Sequence, residues 1–340
     1  MQQFRIDNYY DGYHTSEINC IDLPIGAAAG HFGRDNYFYY CLCYAFVLNY
    51  RRYFKDDWFE IRRDILSLLD LEFCEVLVYD VSQLHDKIKQ CFYDNTPIVL
   101  IVKYGALFYS QYYGYGTYDH GLLISDYNEE TKLYGIRDRE VIREHIERGI
   151  FQSDVMHRLT ITVEQLQTIW KHSQKLLKEE NSCHYQKFYC IREKKNRGDV
   201  DFSKILQRLL FTEMKQRKNE LERYLYESND NQVKHRFAEK FEVEKVRRIF
   251  YRSFRTILKV MRRYFTQEEM QTTTFQMLEG TIGDIINTRT EILNQVQVYS
   301  ARKTILEVKK IQQMVQVDNL KTDQFIQLLK SLVSTVDWIK

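Results

Sequence analysis

Proline is nearly missing from this chain. Only two occur in 340 residues, Pro24 and Pro97. Glycine is scarce in the second half as well: ten of the thirteen precede residue 155, and only Gly198, Gly280 and Gly283 follow. A long stretch without these breakers, rich in Leu, Ile, Gln, Glu, Lys and Arg, predicts helices. No run approaches the roughly 18 apolar residues of a membrane span, so no membrane contact is expected. The opening MQQFRIDNYYDGYH has no apolar segment of the kind a secretion signal needs. The net charge is only +2, too little for the dense basic field that nucleic acid requires. The seven cysteines form no CxxC pair and no zinc-type spacing. Reduced thiols in a cytoplasmic protein, with no bound metal, are the simplest expectation.

What is present is enough for a packed core. Hydrophobic residues are 44% and charged residues 28%, a balance of folded rather than disordered chains. Apolar spacing predicts helices over Ile21 to Phe32, Tyr37 to Tyr50 and Trp58 to Leu69. Strands are expected at Phe73 to Tyr79 and Pro97 to Lys103, the second a continuous β-branched run typical of a buried strand. Val81 to Tyr93 reads as a helix between them. A hairpin spans His120 to Asp138, Val155 to Ile161 alternates as a strand does, and Tyr185 to Arg192 reads as a closing strand. Thr162 and Gln165 form a capping box opening a helix to about Lys178. The charged segment Glu193 to Asp201 reads as a linker. The expected fold class is therefore α+β, with N-terminal helices on an antiparallel sheet over 1–195 and an all-α bundle of four or five helices over 196–340.

The hairpin carries chemistry. With its turn centred near Glu129, His120 falls opposite Asp138, Leu122 opposite Ile136 and Ile124 opposite Tyr134. Opposed side chains share a face with Cβ atoms about 4.5–5.5 Å apart, and a slip of one residue would separate them. A carboxylate holding a histidine fixes its tautomer and stabilises its protonated form, as in a catalytic triad.

Cys20 is the best nucleophile for that pair. It opens the first helix, where unpaired N–H groups and partial positive charge favour a thiolate. Its backbone N–H could donate to an oxyanion, with Asn19 or His14 as the second donor. Cys41 and Cys43 fall in a very apolar helix, and Cys74, Cys91, Cys183 and Cys190 are placed less suitably. The glycine-tyrosine loop Tyr112 to Tyr118 ends beside His120, and Tyr113 and Tyr118 are candidate substrate-binding residues on a mobile aromatic wall.

Several of these segments resemble the N-terminal domain of the butirosin biosynthesis protein H family. They are Ile18-Asn19-Cys20-Ile21-Asp22, His31-Phe32-Gly33-Arg34-Asp35, Thr96-Pro97-Ile98-Val99-Leu100, the stretch from Tyr118-Asp119-His120 to Tyr127 and the closing Asp138. The resemblance covers about residues 15–160. It implies a papain-like fold related to bacteriocin-processing cysteine peptidases, with Cys20, His120 and Asp138 at the Cys-His-Asp positions. It also implies acyl transfer: a group moves from the phosphopantetheine thioester of a carrier protein to a small amine, in antibiotic or nonribosomal peptide biosynthesis. No cofactor is then needed beyond the phosphopantetheine carried by the substrate. Pro24 departs from the pattern, because it removes a helical N–H near Cys20.

From Lys245 to Phe265, Arg248, Arg252, Arg255 and Lys259 line one helix face, opposite a stripe that includes Phe254, Ile257 and Met261. The basic face suits an acidic carrier protein. Two other readings use the same residues differently. One is a cysteine peptidase or thioesterase in which water takes the acyl group, and the other is a non-enzymatic interaction protein with a degenerate site.

Overall fold

The structure, a computed structural model, describes residues 2–4, 6, 18–50, 58–139, 156–178, 187–212, 244–302 and 308–335. The chain divides into two compact units. The first comprises Met1–Tyr40 and Arg62–Gly198, and the second Cys41–Ile61 and Asp199–Lys340. The boundary expected at 195/196 thus falls three residues later, and 41–61, expected in the first domain, groups with the C-terminal helices. The reason is hydrophobic: Phe46 meets Phe325, with ring centroids 6.0 Å apart.

The first unit is α+β. Its seven-stranded antiparallel sheet comprises β1 (Gln2–Gln3), β2 (Leu71–Leu77), β3 (Ile98–Lys103), β4 (Asp119–Asn128), β5 (Leu133–Asp138), β6 (His157–Thr162) and β7 (Lys187–Glu193). The order is β2-β7-β3-β4-β5-β6, with β1 also paired to β4. Strand β3 is buried at every residue, as its continuous apolar run requires of a central strand. The edge strand β2 begins with buried Leu71, exposed Glu72 and buried Phe73, the alternation of a half-covered strand.

Helices cover the sheet. α1 (Asp22–Ala29) packs on β3 and β4. α2 (Arg34–Tyr50) and α3 (Trp58–Leu68) follow. α4 (Ser82–Tyr93) contributes Leu84, Ile88, Cys91 and Phe92 to one core. α5 (Val163–Lys178) adds Leu166, Ile169 and Trp170 to the same core, against Ile98, Leu100, Val102, Leu122 and Ile124. The capping box before α5 is formed: Thr162 N–H donates to Gln165 Oε1 at 2.8 Å, and Gln165 N–H to Thr162 Oγ1 at 3.1 Å.

In the second unit, the described helices after the sheet are α6 (Phe202–Thr212), α7 (Glu244–Tyr264), α8 (Gln267–Met270), α9 (Thr273–Arg302) and α10 (Val308–Thr335). A buried ion pair joins α9 to α10, Arg289 Nε to Asp318 Oδ1 at 2.8 Å, with the guanidinium 4.9 Å from the Phe254 ring of α7. A buried charge pair of this kind fixes which residues of two helices face each other. No described helix is long and apolar enough to cross a membrane.

Candidate active site

The first turn of α1 is set by Asn19. Its side-chain Oδ1 accepts from the N–H groups of Ile21 and Asp22 at 2.9 and 2.8 Å, and its carbonyl accepts from Leu23 N–H at 3.1 Å. Asn19 is thus an N-cap, and Cys20 is the first residue inside the turn. Asn19, expected as an oxyanion donor through its side-chain amide N–H, uses its side-chain oxygen to cap the turn. His14, the other expected donor, lies outside the described residues.

Two features fix this turn, one against neighbouring helices and one against the sheet. Asp22 is fully buried and takes Arg62 Nε and Nη2 at 2.8 and 2.9 Å, and the Tyr40 hydroxyl at 2.7 Å. Gly121, next to His120, lies beneath the turn: a Cβ there would be 2.9 Å from the Cys20 carbonyl oxygen and 3.0 Å from Ile21 Cα. Pro24 cannot donate to the Cys20 carbonyl as an ordinary fifth residue would. Its ring packs at the same place, with Cγ 3.3 Å from that Cβ position.

The hairpin differs from the expected register. Ile124 pairs with Ile136, and Tyr127 with Tyr134; Ile124 was expected opposite Tyr134, and Ile136 opposite Leu122. A bulge interrupts the ladder between Ile124 and Asp126. Its effect is decisive for the site. Extending the turn-side register, set by Asn128 with Leu133, would put Asp138 opposite Leu123, on the face away from His120. The extra residue at Ser125 shifts the pairing so that Arg137 meets Leu123, which returns Asp138 to the face of Leu122 and His120. His120 and Asp138 therefore meet diagonally rather than directly opposite. The bulge is held by Ser125 Oγ, which donates to Asp126 Oδ2 at 2.8 Å and also lies 3.1 Å from the Gly135 carbonyl. Arg158 binds the Asp126 carboxylate at 2.8 Å.

His120 Nε2 is 2.5 Å from Asp138 Oδ1, and both residues are fully buried. The other carboxylate oxygen accepts from the Tyr109 hydroxyl at 2.6 Å. Asp138 thus occupies Nε2, and Nδ1 is the ring nitrogen that remains. Nδ1 is buried and makes no hydrogen bond of good geometry in this conformation. The Cys20 thiol donates to the Asp119 carbonyl, 3.6 Å away, yet it is close enough to the imidazole to favour its protonated form. Burial is the strongest single influence on His120 and pulls its pKa down; the charge and hydrogen bond of Asp138, aided by Cys20, outweigh it and raise the pKa to about 10.

Other residues complete the surroundings and gave no spacing signal in the sequence. Arg139, buried and adjacent to Asp138, donates to the Ile18 carbonyl at 2.7 Å. It ties the strand bearing the acid to the segment bearing Cys20. The Tyr104 ring lies against His120, with centroids 4.1 Å apart. Lys103 is paired with Asp119 at 3.1 Å.

The loop 112–118, expected to be mobile, is bonded back onto the chain. Tyr104 N–H donates to the Tyr118 carbonyl at 3.0 Å, Gly105 N–H to Gly116 at 2.8 Å, and Gly114 N–H to Gly105 at 2.9 Å. Tyr113 and Tyr118 are exposed, and neither side chain is hydrogen-bonded to Cys20, His120 or Asp138. On α7, Arg255 and Lys259 are exposed, while Phe254, Ile257 and Met261 are buried. The side chains of Arg248 and Arg252 lie outside the described residues. No group of metal-ligating side chains occurs among the described residues.

Compared with known proteins, the chain matches no family model and no curated protein.

Proposed function

We propose that this protein is a cysteine-dependent acyltransferase that forms amides, with Cys20 as nucleophile, His120 as acid and base, and Asp138 as the orienting carboxylate. The observation that carries this reading is the buried His120–Asp138 contact at 2.5 Å, with Cys20 bonded to the carbonyl of Asp119, the residue before His120. A thiol, an imidazole and a carboxylate in series constitute an activated nucleophile. The sequence segments that resemble the butirosin biosynthesis protein H family favour transfer over hydrolysis.

In the first step Cys20 gives its thiol proton to His120, and the resulting thiolate attacks the carbonyl carbon of a carrier-bound thioester. The carbonyl–sulfur bond to phosphopantetheine breaks, and the departing thiolate takes a proton from His120. In the second, an amine attacks acyl-Cys20, His120 accepts the amine proton, and the Cys20 thiolate leaves. The products are an amide and free enzyme. The backbone N–H of Cys20, first in the capped turn, would stabilise the oxyanion in both steps. The acidic carrier protein would meet a basic surface that includes Arg255 and Lys259.

The test is mass spectrometry of the protein mixed with an acyl-loaded carrier and an amine. An acyl adduct on Cys20 that disappears on adding the amine is expected, and Cys20→Ala should abolish it while Cys41→Ala retains it. Turnover of peptides without a carrier would favour a peptidase instead. An adduct that survives Cys20→Ala would remove the basis of the proposal.

A further inference from the structure

Three further cysteines converge at the β2–β7 end of the sheet and play no part in the chemistry above. Cys74 of β2 lies directly opposite Cys190 of β7. Lys194 N–H donates to the Asp70 carbonyl just beyond the end of that ladder. Hydrogen-bonded pairs recur at alternate residues of an antiparallel ladder. Counting from Asp70 and Lys194 makes Cys74 and Cys190 such a pair, with Cα atoms about 5.5 Å apart. That separation lies inside the usual range for a disulfide. Cys190 is also opposite Ile98, and its side chain enters the core that Cys91 of α4 shares. Cys91 and Cys190 are buried, whereas Cys74 is half-exposed.

We propose that Cys74 and Cys190 form an oxidisable dithiol, which a peroxide converts to a disulfide joining the edge strand β2 to β7. Exposure makes Cys74 the thiol that a small oxidant reaches. Its deprotonated sulfur attacks one oxygen of hydrogen peroxide, the O–O bond breaks, and the released hydroxide is protonated to water. Cys74 is then a sulfenic acid. Cys190 sulfur gives up its proton and attacks Cys74 sulfur, the S–O bond breaks, and a second water leaves. Overall two thiols lose two hydrogens and one peroxide becomes two waters. Cys91, close to Cys190, is the competing partner. The hydrogen bond with Cys190, and then burial, hold the Cys74 proton and raise its pKa. Oxidation should therefore accelerate as pH rises.

The experiment treats the full-length Cys20→Ala protein with hydrogen peroxide at about pH 7 and about pH 9, blocks free thiols by alkylation, and maps peptides without reduction. The expected result is a linked peptide pair containing Cys74 and Cys190, two hydrogens lighter than the separate peptides. It should form faster at the higher pH and vanish on reduction. Cys74→Ser, a half-exposed position that folding tolerates more readily than Cys190, should abolish the link and leave Cys91 and Cys190 as alkylated thiols. Cys190 linked to Cys91, or Cys74 oxidised without any link, would overturn the proposal.

Discussion

Gly121 lies so close under the turn bearing Cys20 that an added Cβ would stand 2.9 Å from the Cys20 carbonyl oxygen. Both nearest atoms belong to backbone, so neither can rotate away. Gly121→Ala should push the turn off the strand, at a cost of about 1–3 kcal/mol in stability. The rate of Cys20 alkylation should fall at least tenfold relative to wild type. Gly283→Ala, in a helix with nothing within 4 Å of its Cβ position, is the control. It should leave alkylation unchanged.

The His120–Asp138 pair links stability to pH. The folded state raises the His120 pKa from near 6.5 to about 10. The stability contributed by protonated His120 is therefore complete below about 6.5 and fades as pH rises through about 10. Asp138→Asn removes the charge that sustains it, so burial then dominates and disfavours the charged ring. The wild-type advantage in urea midpoint should be largest near pH 6 and shrink steadily toward pH 10. The same variant should lower turnover by about 100-fold or more.

The bulge at Ser125 accommodates one residue of β4 that has no partner on β5. Deleting Ser125 would leave Asp126 opposite Gly135 and Ile124 opposite Ile136 in a continuous ladder, so Asp138 would stay opposite Leu122 on the face of His120. The chain should keep its strand signal in circular dichroism and the pH-dependent advantage of Asp138. Loss of that advantage would mean that the pair depends on the bulge itself and not on the register alone.

Asp22 is buried beneath the same turn, with Arg62 and Tyr40 as its partners. Asp22→Ala leaves the Arg62 guanidinium buried without its carboxylate, which should destabilise the protein by about 3–5 kcal/mol. Chemical denaturation measures this. A double change of Asp22 to Leu and Arg62 to Met should recover much of the loss, because no uncompensated charge remains.

Much of the first unit was legible in the sequence for simple reasons. The β-branched run of β3 could only be a buried strand, and Thr162 with Gln165 announced the start of α5. The pairing of His120 with Asp138 was reached by an incorrect register. The true register at the mouth of the hairpin differs by two residues from the expected one, and an even shift preserves the face. A bulge has no reliable sequence signature here, since Ser125 is one polar residue in a longer polar stretch. The role of Asn19 had a signal: an Asn just before a helix is a favoured cap. Gly121 had one too, as a glycine inside an apolar strand often marks a close backbone approach. Tyr109 and Arg139 could not have been found, because their bonds to Asp138 and Ile18 span 29 and 121 positions. The grouping of 41–61 with the second unit was hidden for the same reason, since Phe46 finds its aromatic neighbour at Phe325.

The proposed chemistry needs a reactive sulfur at position 20, so the rate of Cys20 alkylation by iodoacetamide at neutral pH is its most direct measurement. A paired imidazole should make Cys20 react about tenfold or more faster than free cysteine, and His120→Ala should remove that excess. If Cys20 alkylates no faster than free cysteine in solution, with or without His120, the three side chains do not form a catalytic group.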